Sequence, residues 1–100
     1  MLFRSISVLR AEAYLALAEQ EWEGAWQAFE QSSNRLAAMG MRLEHARVLK
    51  EWAEGHLERG EPEDRQRATE LLKEARDEFE AIGSAGYVEQ IEARLQELQG

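Results

Sequence analysis

Two related stretches organise this sequence: FEQSSNRLAAMG at residues 29–40 and LKEARDEFEAIG at residues 72–83. Each begins with a large apolar residue, carries further apolar residues at helical spacing and ends on a glycine, Gly40 or Gly83. Steps of three, four and seven residues place side chains on one face of a helix. Glycine just past a helix end adopts the left-handed conformation without a Cβ clash. Each stretch is therefore predicted to be the second half of a helix that ends near its glycine.

The repeat continues upstream of these stretches. Leu9–Ala13 matches Leu49–Ala53 at an offset of 40, whereas the two quoted stretches are offset by 43. The three additional residues fall in the predicted loop at 61–64, where an insertion costs least. Each unit is therefore a helical hairpin of about 40 residues, a length typical of helical repeats that stack into solenoids.

Helical periodicity extends along the whole chain and predicts five helices. Gly60 follows a third periodic segment, and Pro62 suits the first turn of the next helix. The predicted helices span about Phe3–Glu19, Glu23–Met39, Arg42–Arg59, Glu63–Ile82 and Ser84–Leu98. Alternation with a period of two is never long enough to indicate a strand. We predict an all-α fold with a single domain over residues 1–100.

Charge and composition argue against several kinds of partner and site. The chain has 20 acidic against 12 basic residues, a net charge of −8, and no cysteine. An acidic surface repels phosphate backbones and anionic membranes, and without cysteine there are no disulfides or thiolate metal sites. The sequence also has no apolar run of about 20 residues, the length of a membrane span. We therefore expect no nucleic-acid partner, no membrane partner and a cytoplasmic location.

The order of small and bulky residues in each unit resembles the tetratricopeptide (TPR) repeat family. In that family, small residues let two helices approach, and an aromatic or large residue fills the remaining gap. The matching residues are Ala13, Ala25, Phe29 and Ser32 in the first unit, and Ala53, Ala68, Leu72 and Ala75 in the second. The resemblance implies an α-solenoid fragment of two antiparallel hairpins, repeat 1 at about 3–40 and repeat 2 at about 41–83. A C-terminal capping helix would follow at about 84–99.

The second unit also resembles a more specific group of repeats. The segments EWAEG at 51–55 and FEAIG at 79–83 are similar to helical repeats at the C-terminal end of large bacterial regulators, both LuxR-type activators and cyclase-linked proteins. The resemblance implies a non-catalytic protein–protein interaction scaffold, a detached arm of a signalling regulator. The alternative is a regulatory domain that senses a small effector.

Family members of this kind bind extended peptides in a groove lined by the first helix of each hairpin. The resemblance places five residues of this chain in such a groove: Arg10, Tyr14, Arg47, Lys50 and Glu54. Three bases and an aromatic ring on one surface suit an acidic segment of a protein or peptide partner. The alternative interpretation is an ordinary charged helix face.

Catalytic and metal-binding residues are not found at the required spacings. His45 and His56 are separated by roughly 16 Å along one helix, too far for a shared metal ion. The carboxylate pairs Glu54/Glu58 and Glu74/Glu78 have no histidine or second carboxylate at metal-ligand spacing. The sequence contains no phosphate-binding loop and no nucleophile elbow. We therefore predict no enzymatic activity, no cofactor and no metal.

Apolar residues near the N-terminus exceed what one neighbouring helix can cover. Phe3 and Ile6 lie in the first predicted helix, and Trp22 and Trp26 share a face at the start of the second. Exposed apolar patches usually mark interfaces, and two-fold pairing is the simplest closed solution. We predict self-association as a homodimer through these residues. In the alternatives, the tryptophans belong to the core, or the first helix docks on an upstream domain.

Overall fold

In a computed structural model, residues 5–99 form five α-helices, and no strand occurs among these residues. The helices are α1 (Ile6–Ala18), α2 (Trp22–Ala38), α3 (Arg42–Arg59), α4 (Pro62–Ala81) and α5 (Ala85–Gln99). The predicted all-α class is confirmed, and the described helix ends lie within a few residues of the predicted ones. Over the same residues, none of the helices combines the length and apolar character that crossing a membrane requires.

The turns after α1, α2 and α4 share one hydrogen-bonded geometry. In each, a single residue with positive φ follows the C-cap: Gln20 at 59°, Gly40 at 70° and Gly83 at 76°. The residue that follows donates its backbone N–H to the carbonyl of the residue five positions earlier in the sequence, as in a Schellman motif. These bonds are Glu21 to Ala16 at 2.8 Å, Met41 to Leu36 at 3.0 Å and Ser84 to Phe79 at 2.9 Å. The glycine ends predicted at 40 and 83 are confirmed, and the first turn uses glutamine instead.

A buried ionic network around Asp64 holds the turn between α3 and α4. Asp64 is 1% exposed and accepts two hydrogen bonds from Arg59, at 2.7 and 2.8 Å. It also lies 2.6 Å from Nδ1 of His56 and accepts the backbone N–H of Glu61 at 2.9 Å, completing a capping box. The bonds from Arg59 lower the pKa of Asp64 against the opposing effect of burial. His56 is therefore a buried structural residue, and burial lowers its pKa.

The five helices form two layers. Consecutive helices pack together across short turns, which makes them antiparallel. Ion pairs join alternate helices: Arg10 of α1 reaches Glu51 of α3 at 2.8 Å, and Arg94 of α5 reaches Glu54 of α3 at 2.9 Å. Thus α1, α3 and α5 lie side by side in one layer, and α2 and α4 form the other. The Cα extents of 44 × 32 × 16 Å match a slab two helices thick.

The core lies between the layers, where the small residues allow close approach. Each of the eight residues that carry the repeat pattern is at most 1% exposed. They are Ala13, Ala25, Phe29, Ser32, Ala53, Ala68, Leu72 and Ala75. Met39 and Ile82, the apolar residues just before Gly40 and Gly83 in the two related stretches, are 60% and 39% exposed. Both are C-cap residues at the rim of the slab, beyond the last turn that a neighbouring helix covers.

Candidate partner-binding groove

An open groove runs between α1 and α3, and the end of α2 contributes to its first section. It has two shallow sections, of about 610 and 400 Å³, which meet at Tyr14. The first section lies between the start of α1 and the start of α3, and the second between the end of α1 and the end of α3. The first is lined by Ile6, Ser7, Arg10, Tyr14, Leu36, Met39, Met41 and Glu44, and the second by Tyr14, Leu17, Ala18, Lys50, Glu51, Glu54, Gly55 and Glu58. Four of the five residues predicted to line a groove therefore lie along it: Arg10, Tyr14, Lys50 and Glu54.

Arg10 bridges the two helices at the floor of this groove. Its guanidinium lies 3.3 Å from Glu44 and 2.8 Å from Glu51, both on α3. Burial lowers the pKa of Arg10, but the charge of Glu51 and the hydrogen bond to it raise the pKa by more. The pKa of Arg10 is therefore raised overall. Its Nε is buried without a hydrogen-bond partner. The charge of Arg10 is therefore committed to joining α1 and α3.

Tyr14 presents a half-exposed ring at the junction of the two sections. Tyr14 is 48% exposed. It lies on α1 between Arg10 and Leu17, on a helix whose opposite face is packed in the core. The pKa of Tyr14 is raised, chiefly because its hydroxyl is partly buried and secondly because the carboxylate of Glu51 is nearby. An aromatic side chain with an apolar body and a polar tip is the type of residue that anchors interfaces.

The remaining predicted groove residues differ in how their charges are paired. Arg47 lies 3.3 Å from Glu44 and is not among the residues that line either section. Glu54 receives two hydrogen bonds from Arg94 of α5, at 2.9 and 3.0 Å. Lys50 has no ion pair among the described residues. An incoming acidic segment would therefore meet one unpaired ammonium instead of three free bases.

Three of the four residues predicted to mediate self-association, Ile6, Trp22 and Trp26, lie in the part of the chain that the structure describes. Phe3 lies outside the described residues, and Ile6 packs partly buried against the core. The Trp26 ring stacks on His56 with centroids 4.1 Å apart, and Trp22 stacks on Trp26 at 6.0 Å. Trp26 is therefore engaged in packing α2 against α3, in agreement with the core alternative for this residue.

The largest exposed apolar side chains of α1 lie elsewhere on that helix. Val8 is 47% exposed and Leu15 is 59% exposed. They are seven residues apart and therefore share one face, at the outer edge of the slab. Beside Leu15, a shallow depression of about 280 Å³ lies between α1 and α2 and includes Ala16 and Gly24. This edge, defined by Val8 and Leu15, is an exposed apolar surface of α1 separate from the face that carries Tyr14.

One contact that spacing along the chain did not indicate joins His45 to the Glu74/Glu78 pair. His45 lies in the first turn of α3, and its Nδ1 is 2.5 Å from a carboxylate oxygen of Glu78 near the end of α4. No histidine lies at metal-ligand spacing from Glu74 and Glu78 along the sequence, but the fold brings His45 of α3 next to them. An antiparallel hairpin brings the start of one helix to the end of the next, although the two residues are 33 positions apart in sequence.

Taken together, the groove offers an aromatic anchor, apolar walls and charges that are mostly paired with one another. Most of its side chains come from α1 and α3, which Arg10 and the core hold together, and the end of α2 contributes Leu36 and Met39. Comparison of the chain with protein-family models, with curated proteins and with solved structures finds no match in any of the three.

Proposed function

We propose that this chain is a non-catalytic protein–protein interaction scaffold of the TPR type, in which two helical hairpins and a capping helix present the α1–α3 groove to a protein or peptide partner. The observation that carries the proposal is the open groove between two parallel first helices, with half-exposed Tyr14 at its centre. A solenoid whose first helices line one face offers an extended surface of this kind.

The burial of the repeat positions supports the TPR-type assignment. Small residues lie where the helices of a hairpin touch, for example Ala13 against α2 and Ala53 against α4, and both are fully buried. The bulky Phe29 and Leu72 fill the adjoining space at equivalent positions of the two hairpins. The α5 helix then covers the open side of the second hairpin, since Ile91 and Leu95 are buried in the same core. This is the role of a capping helix at the end of a repeat array.

The groove's chemistry favours a partner segment of mixed character. Lys50 supplies one positive charge with no acid partner among residues 5–99, whereas Arg10 and Arg47 are already paired with acids of α3. The walls around Tyr14 are apolar at Leu17 and Ile6. We therefore propose a segment that places an apolar side chain beside Tyr14 and a carboxylate near Lys50.

A pull-down with matched variants tests this proposal. The immobilised native chain should recover a stoichiometric protein from a lysate of its source cells, identified by mass spectrometry. Recovery should fall at least tenfold for Tyr14→Ala, because removing a central aromatic anchor typically costs about 2 kcal/mol or more. Lys73→Ala, an exposed position on α4 outside both the groove and the edge at Val8 and Leu15, should recover the partner as the native chain does. Equal recovery by Tyr14→Ala would place the interface elsewhere.

The alternative function, a regulatory domain that senses a small effector, uses the same groove. Its support is the 610 Å³ section, which has the volume of a small-molecule site, although it is open on one side. The two functions give different results in the same experiment. Absence of a protein partner, together with a rise in melting temperature on adding candidate effectors, would favour the sensor.

Self-association as a homodimer is part of the proposal and is supported by the edge at Val8 and Leu15, exposed at 47% and 59%. Light scattering after size exclusion measures it directly. A mass near twice the 11.5 kDa of one chain is expected at tens of micromolar protein, and Leu15→Glu should return it to a monomer. A native monomer at that concentration would contradict the dimer without bearing on the groove.

A further inference from the structure

A histidine and two glutamates converge where the start of α3 meets the end of α4. The Nδ1 atom of His45 faces Glu78 at 2.5 Å, and Glu74 lies one helical turn before Glu78 on the same face of α4. One ligand atom from each of the three side chains can be chosen so that all lie within 4.8 Å of one another. Ligand atoms of one tetrahedral ion lie about 3.3 Å apart, because each is about 2 Å from the metal, so a small rotation of these side chains would complete the site.

The two helices hold the three side chains on a rigid frame. The α3–α4 interface is the most extensive helix contact in the chain, and the fully buried Ala46 and Ala75 lie within one turn of the ligands. His45 is half-buried at the interface and Glu78 is beside it, whereas Glu74 is exposed. A ligand set on rigid helices is held close to its binding geometry before the ion arrives.

We propose that His45, Glu74 and Glu78 form a binding site for a divalent transition-metal ion such as Zn²⁺. Imidazole nitrogen together with carboxylate oxygen is a donor set that suits zinc and its neighbours, whereas Mg²⁺ and Ca²⁺ prefer oxygen ligands alone. Three protein ligands leave a tetrahedral ion with one open position, which faces solvent on the side of Glu74. The ion replaces the direct contact between His45 and Glu78 with two metal–ligand bonds.

The site lies at the mouth of a second depression, outside the α1–α3 groove. His45 and Glu74 line this depression of about 230 Å³ together with residues of α2, and Trp52 forms part of its wall. Two of the three proposed ligands, His45 and Glu74, therefore line this depression, and Glu78 lies beside it in contact with His45. Metal bound here would link α3 to α4 and leave the proposed partner groove untouched.

Titration of the tag-free protein with Zn²⁺, after removal of metal with a chelator, tests the site. Isothermal calorimetry should show one ion per chain. Thermal melting followed by circular dichroism should shift upwards by about 5 °C or more at saturating metal, because an ion that binds only the folded state stabilises it. Cobalt substitution should give the visible absorption of a low-coordinate site.

Two variants and one control decide the assignment. Glu74→Gln changes an exposed side chain that has no hydrogen bond or ion pair among residues 5–99, so the variant should fold normally and bind Zn²⁺ at least tenfold more weakly. His45→Ala should lose the calorimetric signal. Glu80→Gln, an exposed carboxylate on another face of α4, should bind like the native chain. No binding by the native chain at millimolar Zn²⁺ would overturn the proposal, as would equal binding by Glu74→Gln.

Discussion

Replacement of Gly55 by alanine tests the contact between the two hairpins. Gly55 is buried in α3, at the point where α1 and α2 come closest to it. A Cβ atom at this position would lie 3.1 Å from Cδ2 of Leu17 and 3.2 Å from Cζ3 of Trp26. We expect Gly55→Ala to destabilise the protein, although glycine-to-alanine changes inside helices usually stabilise.

Two opposing contributions determine the magnitude. Alanine gains about 0.5–1 kcal/mol over glycine in a helix interior. Overpacking of a filled interface costs about 1–3 kcal/mol. The Leu17 side chain can change rotamer, but Trp26 is stacked on His56 with centroids 4.1 Å apart and cannot move without breaking that stack. We therefore expect a net loss of about 1 kcal/mol, equivalent to a fall in melting temperature of about 4–8 °C.

Gly24→Ala is the matched control for this experiment. Gly24 lies in the first turn of α2, and a Cβ there would approach nothing closer than Cβ of Ala16 at 4.0 Å, an ordinary contact. Its substitution should raise stability by about 0.5 kcal/mol, the lower end of the helix-propensity range. Both variants are compared with the native chain by thermal melting under circular dichroism. A rise in melting temperature for Gly55→Ala as large as that for Gly24→Ala would show that the hairpins do not approach as closely as described.

Three further predictions concern the core, the first turn and the response to acid. Ala53→Leu and Ala68→Leu, at fully buried positions, should each lower the stability measured by denaturant unfolding by about 1–3 kcal/mol, whereas the exposed Ala81→Leu should change it by less than about 0.5 kcal/mol. Gln20→Gly should raise the melting temperature, because a left-handed residue at φ 59° is strained for glutamine and relaxed for glycine, a difference of about 1 kcal/mol. His56 has a pKa lowered by burial, so the unfolded chain binds its proton more readily, and stability should fall as the pH drops below about 6.5, the ordinary histidine value. The fall in melting temperature between pH 7.5 and pH 5.5 should be shallower in His56→Gln; equal slopes would show that another group titrates.

The predicted groove was only partly accessible to sequence reasoning. Helical spacing placed Arg10 and Tyr14 on one face of α1, and they do line the groove. Pairing of their charges could not be predicted, because Glu51 approaches Arg10 across 41 residues of sequence. Lys50 has no acid partner among the described residues, and the sequence could not predict this either. The pairing of bases with carboxylates depends on how the packed helices are rotated relative to each other.

The sequence by itself determined the number of helices, their turns and the residues at the centre of the core. Those features depend on interactions within a few residues: apolar spacing along a helix, glycine in a left-handed turn at Gly40 and Gly83, and proline in a first helical turn. Only the tertiary structure decided that Trp26 stacks on His56 and that His45 meets Glu78. Such contacts join helices at antiparallel ends, so their partners are distant in sequence, and their geometry follows from the packing of whole helix faces instead of any local pattern.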